Sequence, residues 1–412
     1  MQMKRNVIVG QSGGPTAVIN SSLAGVYKTA KDRGFNKIYG MLHGIQGFLD
    51  EQYIDLSKQI KNDLDIELLK RTPSAFLGTC RFKLPDIHEN KEIYERIFQI
   101  LNKLEIDSFI YIGGNDSMDT IKKLSDYAIL TGQKQKFIGA PKTIDNDLAL
   151  TDHTPGYGSA AKYIGTSVKE IIRDGLSQSY KKEIVTIVEI MGRNAGWLTG
   201  AAALSKGEDC DGPDLIYLPE LPFDPKKFLE HLKTLLKKKS AVVVAVSEGI
   251  KLEDGRYVCE LSVSNDYVDA FGHKQLTGTA DYLANFVARE LNIKTRGIEL
   301  STLQRSASHL ASRVDINEAF MVGGAAVKAA DEGDTGKMVV IDRVSDDPYQ
   351  CSTGIYDVHK IANDEKLVPR NWITRDGTYV TNEFVDYVTP LIQGDYQPVM
   401  VEGIPRHLVL VK

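Results

Sequence analysis

The sequence predicts an α/β fold with largely parallel sheets, arranged as two Rossmann-like doubly wound domains. Short apolar runs rich in β-branched residues alternate with longer helix-like segments, and the runs are apolar throughout rather than at every second position. Continuous apolar strands are typical of parallel sheets buried on both faces. The length of 412 residues exceeds one ordinary core. The runs that predict strands are NVIVG, DSFIYIGG, KFIGAP, EIVTIVEI, AVVVAVS and KMVVIDR.

A polar, glycine-containing stretch, TDHTPGYGSA at residues 151–160, is the best candidate for the first crossing between the domains. We expect residues 1–155 to form the first domain, completed by part of 304–355. We expect residues 156–303 to form the second domain, completed by 356–412.

Composition and charge exclude several classes of protein. The chain is 42% hydrophobic and 25% charged with a net charge of −5, so it lacks the basic footprint expected of a nucleic-acid-binding protein. No apolar run approaches the ~20 residues of a membrane span, and the N-terminus lacks the features of a signal peptide. The sequence therefore predicts a cytoplasmic protein without membrane contact. The four cysteines form no CxxC pair, which favours reduced thiols over disulfides or a zinc site.

Two strand ends are rich in glycine, and ligands of parallel sheets bind outside such carboxyl ends. Gly13 and Gly14 follow the first run and would let backbone N–H groups approach an anion near a helix start. A tight strand-to-helix turn would use the same glycines. The chain contains neither GxxxxGK[ST] nor GxGxxG at these positions.

The second glycine-rich end reads YIGGNDS and places Gly113 and Gly114 before three polar residues. Ser117 and the following helix start would donate hydrogen bonds to phosphate, and Asn115 and Asp116 would offer oxygen atoms to Mg²⁺. The alternative is that Asn115 and Asp116 cap the helix. Two such ends in one chain favour phosphate binding.

A third strand end, PKTIDND, is the most informative one. It places Lys142 and Thr143 directly before Asp145 and Asp147. A carboxylate here would accept a proton from an attacking hydroxyl, and the lysine would neutralise charge that develops on a phosphoryl group. The alternative is a surface turn rich in Asp and Asn, which does not account for the lysine and threonine.

Further polar residues follow later strands. Arg193 follows one strand and would bind a phosphate through its fork of donors, and Glu248 follows another, where it would accept hydrogen bonds from sugar hydroxyls. Arg296 and Arg305 fit a second phosphate. For each arginine the alternative is a surface residue or a partner in an ion pair.

Taken together, these motifs resemble the 6-phosphofructokinase family. The resemblance includes SGGP at residues 12–15, LGTCRF at 77–82, GGND at 113–116, PKTIDND at 141–147, MGR at 191–193, SEG at 247–249 and LQR at 303–305, all in family order. It implies transfer of a phosphoryl group to the C1 hydroxyl of fructose 6-phosphate, with Mg²⁺, in glycolysis or gluconeogenesis. The first domain would bind the phosphoryl donor and the second the sugar phosphate.

The resemblance also assigns roles to single residues. Asp145 would be the base, acting with Lys142, Asp116 and Arg193. Donor binding would involve Gly14, Arg81, Gly113, Gly114 and Ser117, and metal binding would involve Asn115 and Asp147. The sugar phosphate would contact Thr143, Asp145, Met191, Gly192, Arg193, Glu248, Arg296, Thr302 and Arg305.

Two departures from the family pattern concern the donor. Members that use ATP typically read GGDG and PGTIDND, whereas this chain reads GGND and PKTIDND and resembles the branch that uses inorganic diphosphate. The Asp116 carboxylate would lie near the α-phosphate of ATP, and two like charges there cost several kcal/mol at an effective dielectric of about 20. Diphosphate has no α-phosphate, and Lys142 would supply the charge that a shorter donor needs.

The alternatives are an ATP-dependent phosphofructokinase and, more remotely, a sugar-phosphate sensor without activity. The combination of Asp145, Lys142 and Arg193 opposes the sensor, because binding alone needs no base. The resemblance further implies a homodimer or homotetramer. Ala24 aligns with an arginine of the effector site in regulated bacterial members, so control by nucleotides is not expected.

Overall fold

Two sheets organise the chain in the computed structural model, which describes residues 5–261, 276–361 and 365–411. The strands of the first sheet are β1 (Asn6–Gln11), β2 (Lys37–Met41), β3 (Tyr53–Asp55), β4 (Ile106–Gly113), β5 (Lys136–Pro141), β10 (Lys337–Asp346) and β11 (Tyr349–Asp357). The strands of the second sheet are β6 (Ile184–Ile190), β7 (Leu215–Tyr217), β8 (Ala241–Ser247) and β9 (Lys294–Glu299). A short hairpin near the C-terminus consists of β12 (Met400–Val401) and β13 (Ile404–Pro405).

Helices cover the sheets. They are α1 (Ile19–Asp32), α2 (Gly44–Leu49), α3 (Asp63–Lys70), α4 (Lys91–Lys103), α5 (Asn115–Thr131), α6 (Tyr157–Gln178), α7 (Trp197–Gly200), α8 (Pro225–Leu236), α9 (Thr279–Leu291), α10 (Arg313–Asp331) and α11 (Asn382–Val388). Within the described residues, none of these helices has both the length and the apolar character needed to cross a membrane.

The strand order confirms the predicted α/β class. The first sheet runs β11-β10-β5-β4-β1-β2-β3, with its inner pairs parallel and its edge strands β3 and β11 antiparallel to their neighbours. The second sheet runs β7-β8-β6-β9 and is parallel throughout. Each of the six predicted runs forms a strand, and every residue of β1, β6 and β8 is buried. Burial on both faces is the reason that these runs are apolar without alternation.

The C-terminal residues divide between the two cores. Val368, Ile373 and Phe384 pack in the core around the second sheet, whereas Leu408 and Leu410 pack against the core around the first. The predicted domain boundaries stay a prediction.

The topology also determines where a ligand can bind. The chain leaves β1 towards β2 on one side, while β4 lies on the other side of β1. A crevice opens outside the carboxyl ends of strands at such a switch point. The loops after β1, β4 and β5 therefore meet at one place, and these are the loops with the SGGP, GGND and PKTIDND motifs.

Close packing of α1 against α10 supports the first sheet from one face. A Cβ atom on Gly25 would lie well inside van der Waals contact with the carbonyl oxygen of Phe320, and one on Gly323 would do the same with that of Ser22. The two helices approach this closely because these positions have no side chain.

We predict that Gly25→Ala lowers the free energy of unfolding by about 2 kcal/mol, because the added methyl group overpacks this contact. Gly175→Ala on α6 is the matched control, since no atom lies within 4 Å of the added Cβ. There the lower backbone entropy of alanine should raise stability by about 0.5–1 kcal/mol. Urea unfolding of both variants measures the difference, and equal effects would contradict the packing.

Candidate active site

A cavity of about 740 Å³ lies at the carboxyl ends of the strands, between the two sheets. The loops after β1, β4 and β5 line one side, and residues that follow β6, β8 and β9 line the other. Most of the predicted site residues line this cavity: Gly14, Arg81, Gly114, Asn115, Asp116, Ser117, Lys142, Thr143, Asp145, Asp147, Met191, Gly192, Arg193, Glu248, Thr302 and Arg305.

Two predicted residues do not line the cavity. Gly113 is the last residue of β4, and a Cβ atom there would collide with the side chain of Ser117. Glycine at position 113 therefore leaves room for the Ser117 side chain in the first turn of α5. Arg296 is exposed on β9, and its guanidinium lies 3.3 Å from the carboxylate of Asp174. The structure therefore does not bring Arg296 together with Arg305 within one chain.

The loop after β1 is shaped by glycine and by its contact with Lys142. Gly13 has a φ of +75°, a conformation that favours glycine, and Lys142 Nζ donates a hydrogen bond of 2.7 Å to the carbonyl oxygen of Gly14. The helix α1 begins only at Ile19. Residues 15–18 form a short loop between Gly14 and the start of α1.

The start of α5 differs from the capping alternative. Gly114 occupies the N-cap position, with Asn115 and Asp116 in the first turn of the helix. Both side chains line the cavity together with Ser117. The backbone N–H groups and the dipole of a helix N-terminus favour an anion at such a position.

Lys142 connects the loops. Its side chain is buried, with 2% of the residue exposed, and its backbone N–H donates a 3.0 Å hydrogen bond to the carbonyl oxygen of Gly113. Burial lowers the pKa of Lys142 to about 8, although the nearby carboxylates of Asp145 and Asp147 oppose this change. The ammonium group is thus fixed beside the glycine loops.

The Asp145 carboxylate is held by its own loop. The Thr143 hydroxyl donates to Asp145 Oδ2 at 3.2 Å and accepts a 3.1 Å hydrogen bond from the Asp145 backbone N–H. Burial raises the pKa of Asp145 above its usual range. Burial and the charge of Asp145 raise the pKa of Asp147 to about 7. A carboxylate with a raised pKa is suited to general-base catalysis near neutral pH.

The second sheet provides the opposite wall. The backbone N–H of Met191 donates to Gln304 Oε1 at 3.0 Å, and that of Gly192 lies 3.5 Å from Glu248 Oε1. Burial, and after it the charge of Asp145, raises the pKa of Glu248 to about 8.

Arg305 lies near the donor loops. A Cβ atom built on Gly14 would be 3.7 Å from Arg305 Nη1. Burial and the charge of Arg81 lower the pKa of Arg305. These two arginines and Lys142 give this part of the cavity a concentration of positive charge that suits phosphate.

Sequence reasoning missed Glu189, Gln304 and Glu365, which also line the cavity. Glu189 had a signal, because it is a carboxylate inside the otherwise apolar β6 run. Its side chain accepts a 2.8 Å hydrogen bond from the backbone N–H of Ala280. Gln304 lies inside the LQR motif, whereas no motif indicated Glu365.

The side chains that line the cavity would hold a metal ion only together with oxygen atoms of the substrate. Within residues 5–261, 276–361 and 365–411 no group of three or more His, Cys, Asp or Glu side chains forms a metal centre. Asn115 and Asp147 both line the cavity. Mg²⁺ is usually held by one or two carboxylates, with waters and substrate phosphates as its other ligands, so this sparse set of oxygen donors is compatible with it.

Comparisons with known proteins identify the family of this chain. The family model described as Phosphofructokinase matches residues 6–330. The pyrophosphate--fructose 6-phosphate 1-phosphotransferase of Xanthomonas campestris pv. campestris is 41% identical over 407 residues, which cover 98% of this chain and 96% of that protein. The Halomonas elongata protein of the same name is 39% identical over 411 residues, 99% of this chain and 97% of that protein.

A solved structure is also similar to this chain. The crystal structure of pyrophosphate-dependent phosphofructokinase from Nitrosospira multiformis has a TM-score of 0.89 and 37% identity, and covers 98% of this chain and 95% of that chain. The family model and the similar proteins indicate an α/β enzyme of phosphoryl transfer. The chain belongs to the phosphofructokinase family.

We predict that Glu248→Gln flattens the dependence of stability on pH between about pH 5 and pH 8. The pKa of Glu248 is about 8 in the folded protein against an ordinary 4.5, so the folded state binds this proton more tightly than the unfolded chain. The stability that protonation provides is full below the ordinary pKa and is lost as pH rises to about 8. The variant should therefore melt several degrees higher than the natural protein at the alkaline end. Thermal melts across this range measure it, with the exposed Glu253→Gln as control; parallel curves for all three proteins would contradict it.

Proposed function

We propose that this protein transfers a phosphoryl group from inorganic diphosphate to the C1 hydroxyl of fructose 6-phosphate, giving fructose 1,6-bisphosphate and phosphate. The observation that supports the donor is that Asp116 and Lys142 line one cavity together with Asp145 and Arg193. The names of the similar proteins also favour diphosphate over the alternative of ATP. The transfer exchanges the phosphoanhydride bond of diphosphate for a phosphoester bond at C1 of the sugar, and we propose that it is reversible.

Donor choice follows from charge and space. Asp116 stands in the first turn of α5, so its carboxylate opposes a donor that extends an additional phosphate into this region. Diphosphate is shorter and avoids that repulsion. Lys142 Nζ lies 2.7 Å from the carbonyl oxygen of Gly14, at the loop that would receive it.

The transfer itself needs a base and positive charge. Asp145 would accept the proton of the C1 hydroxyl as its oxygen attacks the terminal phosphorus of diphosphate. The bond from that phosphorus to the bridging oxygen breaks, and phosphate leaves. Lys142 and Arg193 would offset the charge on the transferring group, which is the main protein contribution in phosphoryl transfer.

The second sheet would bind the sugar. Glu248 would accept hydrogen bonds from sugar hydroxyls, next to the backbone of Met191 and Gly192. Thr302 and Arg305 would contact the 6-phosphate. Arg296 is exposed in the single chain, so we propose its contact with the 6-phosphate only within a homodimer or homotetramer.

We propose Mg²⁺ as the metal, with Asp147 and Asn115 as the side chains that would hold it. When bound, the cation shields the charge of the diphosphate oxygens. Asn115 follows β4 and Asp147 follows β5, so both belong to the side of the cavity that the loops of the first sheet line.

We predict turnover when the purified protein is mixed with fructose 6-phosphate, Mg²⁺ and diphosphate, and at least about tenfold lower kcat/KM with ATP, since tenfold requires only 1.4 kcal/mol of discrimination. A coupled assay for fructose 1,6-bisphosphate measures both rates. Turnover with ATP alone would overturn the assignment of diphosphate as the donor, and absence of turnover with either donor would favour the sensor.

Asp145→Asn should reduce kcat by about 10²–10⁴ because it removes the base.

A further inference from the structure

The loop with Asp145 and Asp147 contains a residue of left-handed conformation between its two carboxylates. Asn146 is fully buried and has a φ of +54°, in the left-handed region that asparagine adopts more readily than other non-glycine residues. A residue in this conformation persists only where its surroundings hold it. The contacts of the Asn146 side chain are therefore candidates for what holds this loop.

Tyr387 makes the central contact. Asn146 Nδ2 donates a 3.0 Å hydrogen bond to the Tyr387 hydroxyl, which itself donates a 2.6 Å hydrogen bond to the carbonyl oxygen of Asp152. Asn146 Oδ1 accepts from the backbone N–H of Thr154 at 3.1 Å. One hydroxyl thus joins the two ends of the segment that follows Asp145.

Lys366 closes the same segment from another side. Its Nζ donates a 2.6 Å hydrogen bond to the carbonyl oxygen of Asp152. Its backbone N–H donates a 2.8 Å hydrogen bond to the carbonyl oxygen of Asp147. Lys366 and Tyr387 both follow residue 330, where the match to the family model ends. Neither of them lines the cavity.

The Tyr387 ring is itself fixed. Its centroid lies 5.3 Å from those of Trp197 and Trp372, and the Arg343 guanidinium lies over it at 4.7 Å. Arg343 also donates a 3.0 Å hydrogen bond to the carbonyl oxygen of Tyr387. Packing of this kind limits the positions that the hydroxyl can take.

We infer that Tyr387 is a positioning residue for phosphoryl transfer: its hydroxyl holds Asn146 in the left-handed conformation and so directs Asp145 towards the substrate. This inference rests on the proposed function for the reaction that Asp145 catalyses. The contacts of Tyr387 with the loop do not depend on which donor is used. It extends the functional part of the chain to α11, beyond the family match.

The test is Tyr387→Phe, which removes the hydroxyl and keeps the ring. We expect kcat per substrate-binding site to fall about tenfold with little change in KM, since a small misplacement of a catalytic group has effects of this size. Calorimetric titration with fructose 6-phosphate counts the intact sites. The matched control is Tyr379→Phe, because the Tyr379 hydroxyl is buried and makes no hydrogen bond within the described residues; it should leave kcat unchanged.

A double-mutant cycle separates positioning from a general loss of stability. Asn146→Gly removes the side chain and accepts a positive φ without strain. If Tyr387 acts through Asn146, adding Tyr387→Phe to Asn146→Gly should lower kcat no further. Two losses that multiply would overturn the inference.

Hydrogen exchange gives a readout that needs no turnover. Backbone amides of residues 143–148 should exchange faster in Tyr387→Phe than in the natural protein, and at the natural rate in Tyr379→Phe. If these amides exchange faster in Tyr387→Phe but the natural protein does not use diphosphate, the role of Tyr387 in holding the loop stands and only the proposed donor is rejected. Unchanged exchange in Tyr387→Phe would overturn the inference whatever the donor.

Discussion

The buried ammonium group of Lys142 is the interaction on which the rest of the site depends. This group donates a hydrogen bond to the carbonyl oxygen of Gly14 after β1. The backbone N–H of Lys142 donates one to the carbonyl oxygen of Gly113 at the end of β4. Lys142 itself directly follows β5. One residue thus joins three neighbouring strand ends and the loops that follow them.

Burial disfavours the charged forms of Lys142 and of the carboxylates beside it. Burial lowers the pKa of Lys142 to about 8 and raises that of Asp147 to about 7, so desolvation opposes the charged form of both groups. Such groups reduce the stability of the folded chain, which is a common cost of an active site. An incoming phosphate would pair with Lys142 and the arginines, and burial raises the pKa of Asp145, which suits its proposed role as the base.

Much of this account was predictable from the sequence. Continuous apolar runs identified the central strands of both sheets, and the residues directly after them line the cavity, because the carboxyl ends of parallel strands meet at a switch point. The position of Arg296 was not predictable, since the direction of a side chain depends on the register of β9 and on which surfaces stay exposed. The contacts of Tyr387 and Lys366 join residues more than 200 positions apart to the Asp145 loop. No local sequence pattern predicts such contacts, because they form only when distant segments of the chain pack together.

We expect the charge of Asp116 to select the shorter donor. The most direct measurement is the ratio of kcat/KM for ATP to kcat/KM for diphosphate in Asp116→Asn, which keeps the size of the side chain, and in Asp116→Gly, which also creates space. We expect the ratio to rise at least about tenfold in both variants, since removing one like-charge contact is worth more than the 1.4 kcal/mol that tenfold requires. A ratio that stays at the natural value in both variants would contradict the account.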